Sequence, residues 1–325
     1  MLSFGNKGNN FIVMRSILIS ICCLLFSSCI IDYSFDGVED FDEQYSVNGL
    51  IRPGVPAALY IHKVGDLGKM AALPDPSALR VWITWTWEGE DRLDTLAFLE
   101  DRFEGDAKLK PNVKYHLNVL LPGGKLIKAS TIIPSPAPSY NVFLRFPAGF
   151  VQLDNISGPF SRFVLTMPDS LAEAKYYESM LLQVEEMDGE SKFNILPCRN
   201  DDTATLIENL PSNYLPYFLF QNNKVDKLPM TLNFDTVKAN PFSIRFIFRL
   251  SSVSEQYFRY KKSLLQHLDG LSHTSEFDAP MLFFPDIFKE LQPVYSNIEG
   301  AVGIFAGYNP TDLSVTCNLS GHECI

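Results

Sequence analysis

The stretch Arg80-Val81-Trp82-Ile83-Thr84-Trp85-Thr86-Trp87 decides the fold class. It is built from β-branched and aromatic residues, which fit a pleated and half-buried surface. Period-two alternation puts Val81, Ile83, Trp85 and Trp87 on one face and Trp82, Thr84 and Thr86 on the other. Large groups on both faces predict a strand inside a sheet. Upstream, Tyr45–Ile51 and Ala58–Val64 alternate in the same way around the turn Arg52-Pro53-Gly54. Downstream, Lys114–Leu121 and Lys125–Ile133 flank Pro122-Gly123-Gly124 as a predicted hairpin.

Strands at this spacing predict a mainly β chain opening with an immunoglobulin-like β-sandwich over residues 45–133. The run Pro134-Ser135-Pro136-Ala137-Pro138-Ser139 denies backbone donors to any sheet, so 134–139 is the predicted linker. Beyond it, residues 140–325 are expected to form a second β-rich domain, with strands at 160–167, 177–186 and 243–250. That domain carries one amphipathic helix over Ser254–Leu271. Tyr257, Lys261, Leu264, Leu268 and Leu271 recur at helical spacing, Ser254 is the N-cap candidate, and Gly270 falls near the end.

Composition agrees with a packed core. Of 325 residues, 46% are hydrophobic, 13% aromatic and 20% charged, which excludes disordered and fibrous classes. A net charge of −11 argues against a nucleic-acid surface, because such affinity rests on clustered Lys and Arg.

The N-terminus carries an address. Met14-Arg15-Ser16 precedes the apolar run Ile17–Phe26, too short to span a bilayer and the right size for a secretory h-region. The ending Leu25-Phe26-Ser27-Ser28-Cys29 resembles the lipobox of bacterial lipoproteins, which predicts a signal peptide over 1–28, cleavage before Cys29, and lipidation of its thiol. The alternative is an ordinary cleaved signal in which Cys29 falls by chance. Residues 29–44, with Asp32, Asp36, Glu39, Asp40, Asp42 and Glu43 and no base, read as an acidic tether. They loosely resemble the export signal of Bacteroidota surface lipoproteins. The expected location is the outer membrane, lipid-anchored on its periplasmic or cell-surface side.

Cysteine usage adds little. Cys22 and Cys23 leave with the signal, and an oxidising compartment makes Cys317 and Cys324 the candidate disulfide, with Cys198 left over. Cys317 and Cys324 with His322 lack the second ligand pair of a zinc site, so no metal and no cofactor is expected.

Catalytic motifs are missing as well. The five His residues show no His-Glu-x-x-His spacing, and no Gly-x-Ser-x-Gly elbow occurs. Trp82, Trp85 and Trp87 beside Glu88, Glu90 and Asp91 are the candidate ligand-binding residues, since aromatic faces stack on sugars and carboxylates hold hydroxyls. The plainer reading is a buried Trp strand ending in a solvated turn. Asp94-Thr95-Leu96, Asp169-Ser170-Leu171, Asp202-Thr203-Ala204 and Asp235-Thr236-Val237 match the acceptor pattern of Bacteroidota O-glycosylation at Thr95, Ser170, Thr203 and Thr236.

Two C-terminal runs are more specific: Leu250–Leu264, and Pro293-Val294-Tyr295-Ser296-Asn297-Ile298-Glu299-Gly300-Ala301-Val302-Gly303-Ile304-Phe305-Ala306-Gly307-Tyr308. With Val47-Asn48-Gly49-Leu50, the Ile132-Ile133-Pro134 junction and the lipobox, they resemble the Bacteroidota lipoprotein family named domain of unknown function (DUF) 4249. Gly300, Gly303 and Gly307 read as turn and close-approach glycines, because the phosphate-binding Gly-x-Gly-x-x-Gly spacing is missing. The resemblance implies proteins encoded beside TonB-dependent outer-membrane receptors and supplies no catalytic residue. The expected function is therefore that of a non-enzymatic outer-membrane lipoprotein, an accessory or ligand-presenting part of a TonB-dependent uptake system. The alternative is a surface glycan-binding or glycan-cleaving lipoprotein.

Overall fold

The computed structural model describes residues 44–64, 70–71, 73, 75–153, 156–167, 176–187, 190–200, 215–221, 230–236, 245–274 and 293–316. Cys29, Ser170, Thr203, Cys317 and Cys324 lie outside the described residues. The fold is mainly β with one long helix. Its strands are β1 (Gln44–Ile51), β2 (Ala58–Val64), β3 (Met70–Ala71), β4 (Arg80–Trp87), β5 (Glu90–Leu99), β6 (Arg102–Glu104), β7 (Val113–Leu120) and β8 (Leu126–Ile133). Then follow β9 (Asn141–Leu153), β10 (Ile156–Met167), β11 (Tyr176–Met187), β12 (Glu190–Ile195), β13 (Phe218–Gln221), β14 (Met230–Thr236) and β15 (Arg245–Val253). The chain next forms helix α1 (Glu255–Thr274) and strand β16 (Val302–Thr316).

Among the described residues, one sheet runs in the order β12-β11-β15-β16-β1-β2-β6-β5-β4-β7-β8, and β14-β10-β9 form a second sheet. The first path curls back on itself. Its end strand β8 meets the approach to β16 through paired backbone bonds between Lys128 and Glu299 (3.2 and 2.8 Å). The Asn297 amide clamps the seam. It donates to the carbonyls of Ser130 and Phe305 and accepts from the Phe305 N–H. The wrapped strands enclose a first core that includes Val47, Leu59, Ile83, Leu117 and Ile127. The second core lies between the β14-β10-β9 sheet and the β11-β15 region, with Phe163, Phe234, Phe246 and Phe248 at its centre. The ring centroids of Phe163 and Phe246 stand 5.2 Å apart, edge to face.

Strand β16 belongs to both cores. It pairs antiparallel with β15 and parallel with β1, with Val47 opposite Gly303 and Ile51 opposite Gly307. Because side chains alternate across a strand, Phe305 enters the first core while Ile304 and Ala306 enter the second. Strand β16 thus joins the segments expected on either side of 134–139. Residues from Glu43 onward group as one compact unit with two cores and a shared strand. The proline run is partly packed: Pro134 and Ala137 are buried, Pro136 and Ser139 are exposed, and the Pro134 carbonyl accepts from the Asn309 amide at 2.9 Å. Prolines carry no N–H to leave unpaired, so they bury cheaply once their carbonyls are served.

Helix α1 starts where the sequence places it. The Ser254 hydroxyl accepts from the Tyr257 N–H (3.2 Å), satisfying a free donor of the first turn. The buried stripe differs from the expected one. Tyr257, Phe258 and Leu265 are buried, Leu264 is half-buried, and Leu268 is 52% exposed. The helix thus presents a face rotated by about one residue from the Leu264/Leu268 line.

Two stability predictions follow from this packing. A Cβ built on Gly307 would lie 2.2 Å from the Ile132 carbonyl oxygen, so Gly307→Ala should cost about 3 kcal/mol or more. Leu265→Ala should cost about 2–5 kcal/mol and Leu268→Ala under about 0.5 kcal/mol, both measured by urea denaturation.

Candidate functional site

The Trp strand is central, as its two large faces require: β4 lies between β5 and β7. Its hairpin to β5 is closed by Glu88 (φ 53°) and Gly89 (φ 80°). Two consecutive positive φ values give the type I′ turn that matches the twist of a two-residue hairpin. Glu88 is thus an exposed turn residue with a strained backbone.

Alternation then separates the candidate residues. Trp85 and Trp87 pack on the first core, and the Trp85 ring meets Tyr115 at 5.5 Å between centroids. Tyr115 is held in turn by the Lys110 backbone, its oxygen accepting from the Lys110 N–H at 2.7 Å and its hydroxyl donating to the Lys110 carbonyl. Burial raises its phenol above the ordinary value, and the Lys110 backbone bond opposes that shift. Trp82 projects from the opposite face and is half-buried. The three indoles therefore form no single stacking surface, which corrects the expected aromatic stripe. The acids divide likewise. Glu90 pairs with the guanidinium of Arg92 two residues on, whereas Asp91 points to the other face and accepts from the Thr86 hydroxyl at 2.9 Å. Neighbours on one strand that face opposite ways cannot bracket one glycosidic bond as an acid and base pair.

A shallow, open groove of about 470 Å³ lies along this hairpin. Thr84, Trp85, Thr86, Asp91, Arg92, Leu93 and His116 line it. Thr84 pairs across the sheet with both Leu93 and His116, so three strands fix the polar groups relative to one another. Hydroxyls, a carboxylate and an imidazole around a shallow opening can hydrogen-bond a polar, polyhydroxylated ligand at the surface. Leu93, 63% exposed, supplies the apolar contact.

The acceptor triplets also sort by structure. Thr95 is exposed on β5, while Asp94 beside it turns inward and accepts from the N–H groups of Asp106 and Ala107 (3.1 and 3.0 Å). The sequence gives no sign of that cradle. Thr236 is fully buried at 0% exposure, which overturns its reading as an acceptor. Its neighbour Asp235 is held bidentate by Arg162 at 2.6 and 2.7 Å. Cys198 is a buried thiol whose pKa is pushed up by desolvation first and by Asp235 second. Among the described residues no group of three or more His, Cys, Asp or Glu side chains converges.

Comparison with known proteins gives one extensive match. A family described as "Domain of unknown function (DUF4249)" matches residues 31–314. Among solved structures, the collagen-binding domain of Erysipelothrix rhusiopathiae surface protein RspB aligns at TM-score 0.14 and 9% identity. The alignment covers 82% of this chain and 95% of that one. Collagen adhesin (CNA) from S. aureus aligns at TM-score 0.12 and 10% identity, over 83% of this chain and 95% of that one. Such slight likenesses carry no argument about this chain. No curated protein matches it.

The division of the indoles is open to measurement. Both indoles are half-buried but only Trp85 packs on the first core, so Trp85→Ala should cost about 2–3 kcal/mol and Trp82→Ala under about 1 kcal/mol in the same denaturation assay.

Proposed function

Because the chain belongs to the family described as DUF4249, we propose that it is a non-enzymatic, lipid-anchored lipoprotein of the outer membrane. In this reading it acts as an accessory or ligand-presenting component of a TonB-dependent receptor uptake system. The observation that carries the proposal is the position of the family match. It begins at residue 31, two residues past Cys29, so the family's fold makes up what remains after cleavage before that Cys. In this reading the acidic residues between Cys29 and β1 are the tether expected from the sequence. Within that unit the groove at Thr86, Asp91 and His116 is where a ligand would be presented.

The same groove favours the second reading, a surface glycan-binding lipoprotein, because it gathers hydrogen-bonding groups beside the exposed Leu93. Cleavage of glycans draws no support from it, since Glu90 and Asp91 point apart.

Metabolic palmitate labelling should mark the wild type and not Cys29→Ala, and the variant should leave the membrane fraction. Detergent extracts of wild-type cells should then yield a large β-barrel co-purifying with the protein. Retention of a soluble oligosaccharide by the purified protein, lost in Asp91→Ala and with no barrel bound, would favour the second reading. Wild-type protein without incorporated palmitate would end both.

A further inference from the structure

A polar and aromatic cluster apart from the groove lies where α1 crosses β11 and β16. Glu178 on β11 has a side chain only 5% exposed, and its Oε2 accepts from the Tyr257 hydroxyl at 2.8 Å. The other oxygen, Oε1, is buried without a hydrogen-bond partner. The Lys261 ammonium stands 3.5 Å from it. That ammonium also lies 4.2 Å from the centroid of the Tyr217 ring and 5.6 Å from that of Tyr257. Both rings are buried, at 8% and 5% exposure.

We propose that Glu178, Tyr217 and Tyr257 form an ammonium-binding cage whose occupant is the chain's own Lys261, and that this occupancy latches α1 onto the sheet. The chemistry is that of quaternary and primary ammonium recognition: aromatic faces supply their quadrupole and a desolvated carboxylate supplies the counter-charge. Three features favour a cage over an incidental surface pair. The carboxylate is almost fully desolvated, so an uncompensated charge there would be costly. One of its oxygens is fixed by a phenol while the other is left for the cation. The residues come from three separate segments, with Tyr217 just ahead of β13, Glu178 on β11, and Tyr257 and Lys261 one turn apart on α1. Desolvation, and next the Glu178 charge, hold the Tyr217 and Tyr257 phenols above their ordinary range, so both rings stay neutral. The class of ligand is a primary alkylammonium on an unbranched stem.

Chemical rescue tests this directly. Lys261→Ala should melt several degrees below the wild type. Propylammonium at tens of millimolar should then raise the Tm of the variant by about 2–4 °C, the shift expected for 1 kcal/mol in a chain of this size. Propanol at the same concentration should not, and neither compound should move the wild type, whose cage is filled. In Lys261→Ala/Glu178→Gln the ammonium effect should vanish. If Lys261→Ala fails to fold, its refolding yield is measured instead, and recovery with propylammonium but not propanol supports the cage. A variant that melts like the wild type would overturn the proposal. So would equal effects of amine and alcohol, or rescue that persists without the Glu178 carboxylate.

Discussion

The N–H of Gly307 faces two hydroxyls, Thr131 Oγ1 at 3.0 Å and Ser254 Oγ at 3.2 Å. Its carbonyl accepts from the Ser254 N–H at 2.9 Å. Thr131 sits on the last strand of the first core, and Ser254 is the cap from which α1 leaves the second. One residue of β16 thus ties the wrapped sheet, the shared strand and the helix together. It can do so only as glycine, because the Ile132 carbonyl occupies the space of a Cβ. Around it Asn297 closes the seam to β8, Asn309 holds the proline run, and Val47 and Gly49 pair with Gly303 and Phe305. With its partners given, each core packs from ordinary alternation of apolar residues. Without β16, β15 and β1 each become a free edge and both cores lose a wall.

That junction gives the family resemblance a physical meaning. Val47–Leu50, Ile132–Pro134, the Ser254 run and Asn297–Tyr308 lie far apart in the chain and meet around β16. They are the residues that hold two cores on one strand, and none of them lines the groove on the β4–β5 hairpin. The groove side chains instead sit on a hairpin whose turn is exposed and whose strands are fixed from beneath by Trp85 against Tyr115.

Much of the fold was legible locally. Period-two alternation located β1, β2, β4, β7 and β8, and Ser254 with its apolar spacing located α1, because these signals lie within one element. What was not legible is non-local. Nothing in residues 45–51 announces a parallel partner near residue 303, so the strand that the two cores share was not expected. Proline spacing marks a segment that cannot join a sheet, but it does not say whether the segment is packed. For the site, alternation already implied that Trp82 faces away from Trp85 and Trp87. Reading the three as one surface let residue type override geometry. The helix stripe shifted because Tyr257 and Phe258 are both buried, one toward Glu178 and the other against Tyr176, which a single heptad line does not allow for.

The central claim, that β16 completes both cores, is tested most directly by a fragment carrying residues 44–139. Its heteronuclear NMR spectrum would be recorded alone and with a synthetic peptide spanning 293–316. The account predicts a collapsed, poorly dispersed spectrum for the fragment by itself. Native-like dispersion should appear when the peptide supplies Asn297, Phe305 and Gly307, and should fail to appear with a Gly307→Ala peptide. A fragment that gives a fully dispersed spectrum and a cooperative melt without the peptide would contradict the account, and would restore a self-sufficient N-terminal domain.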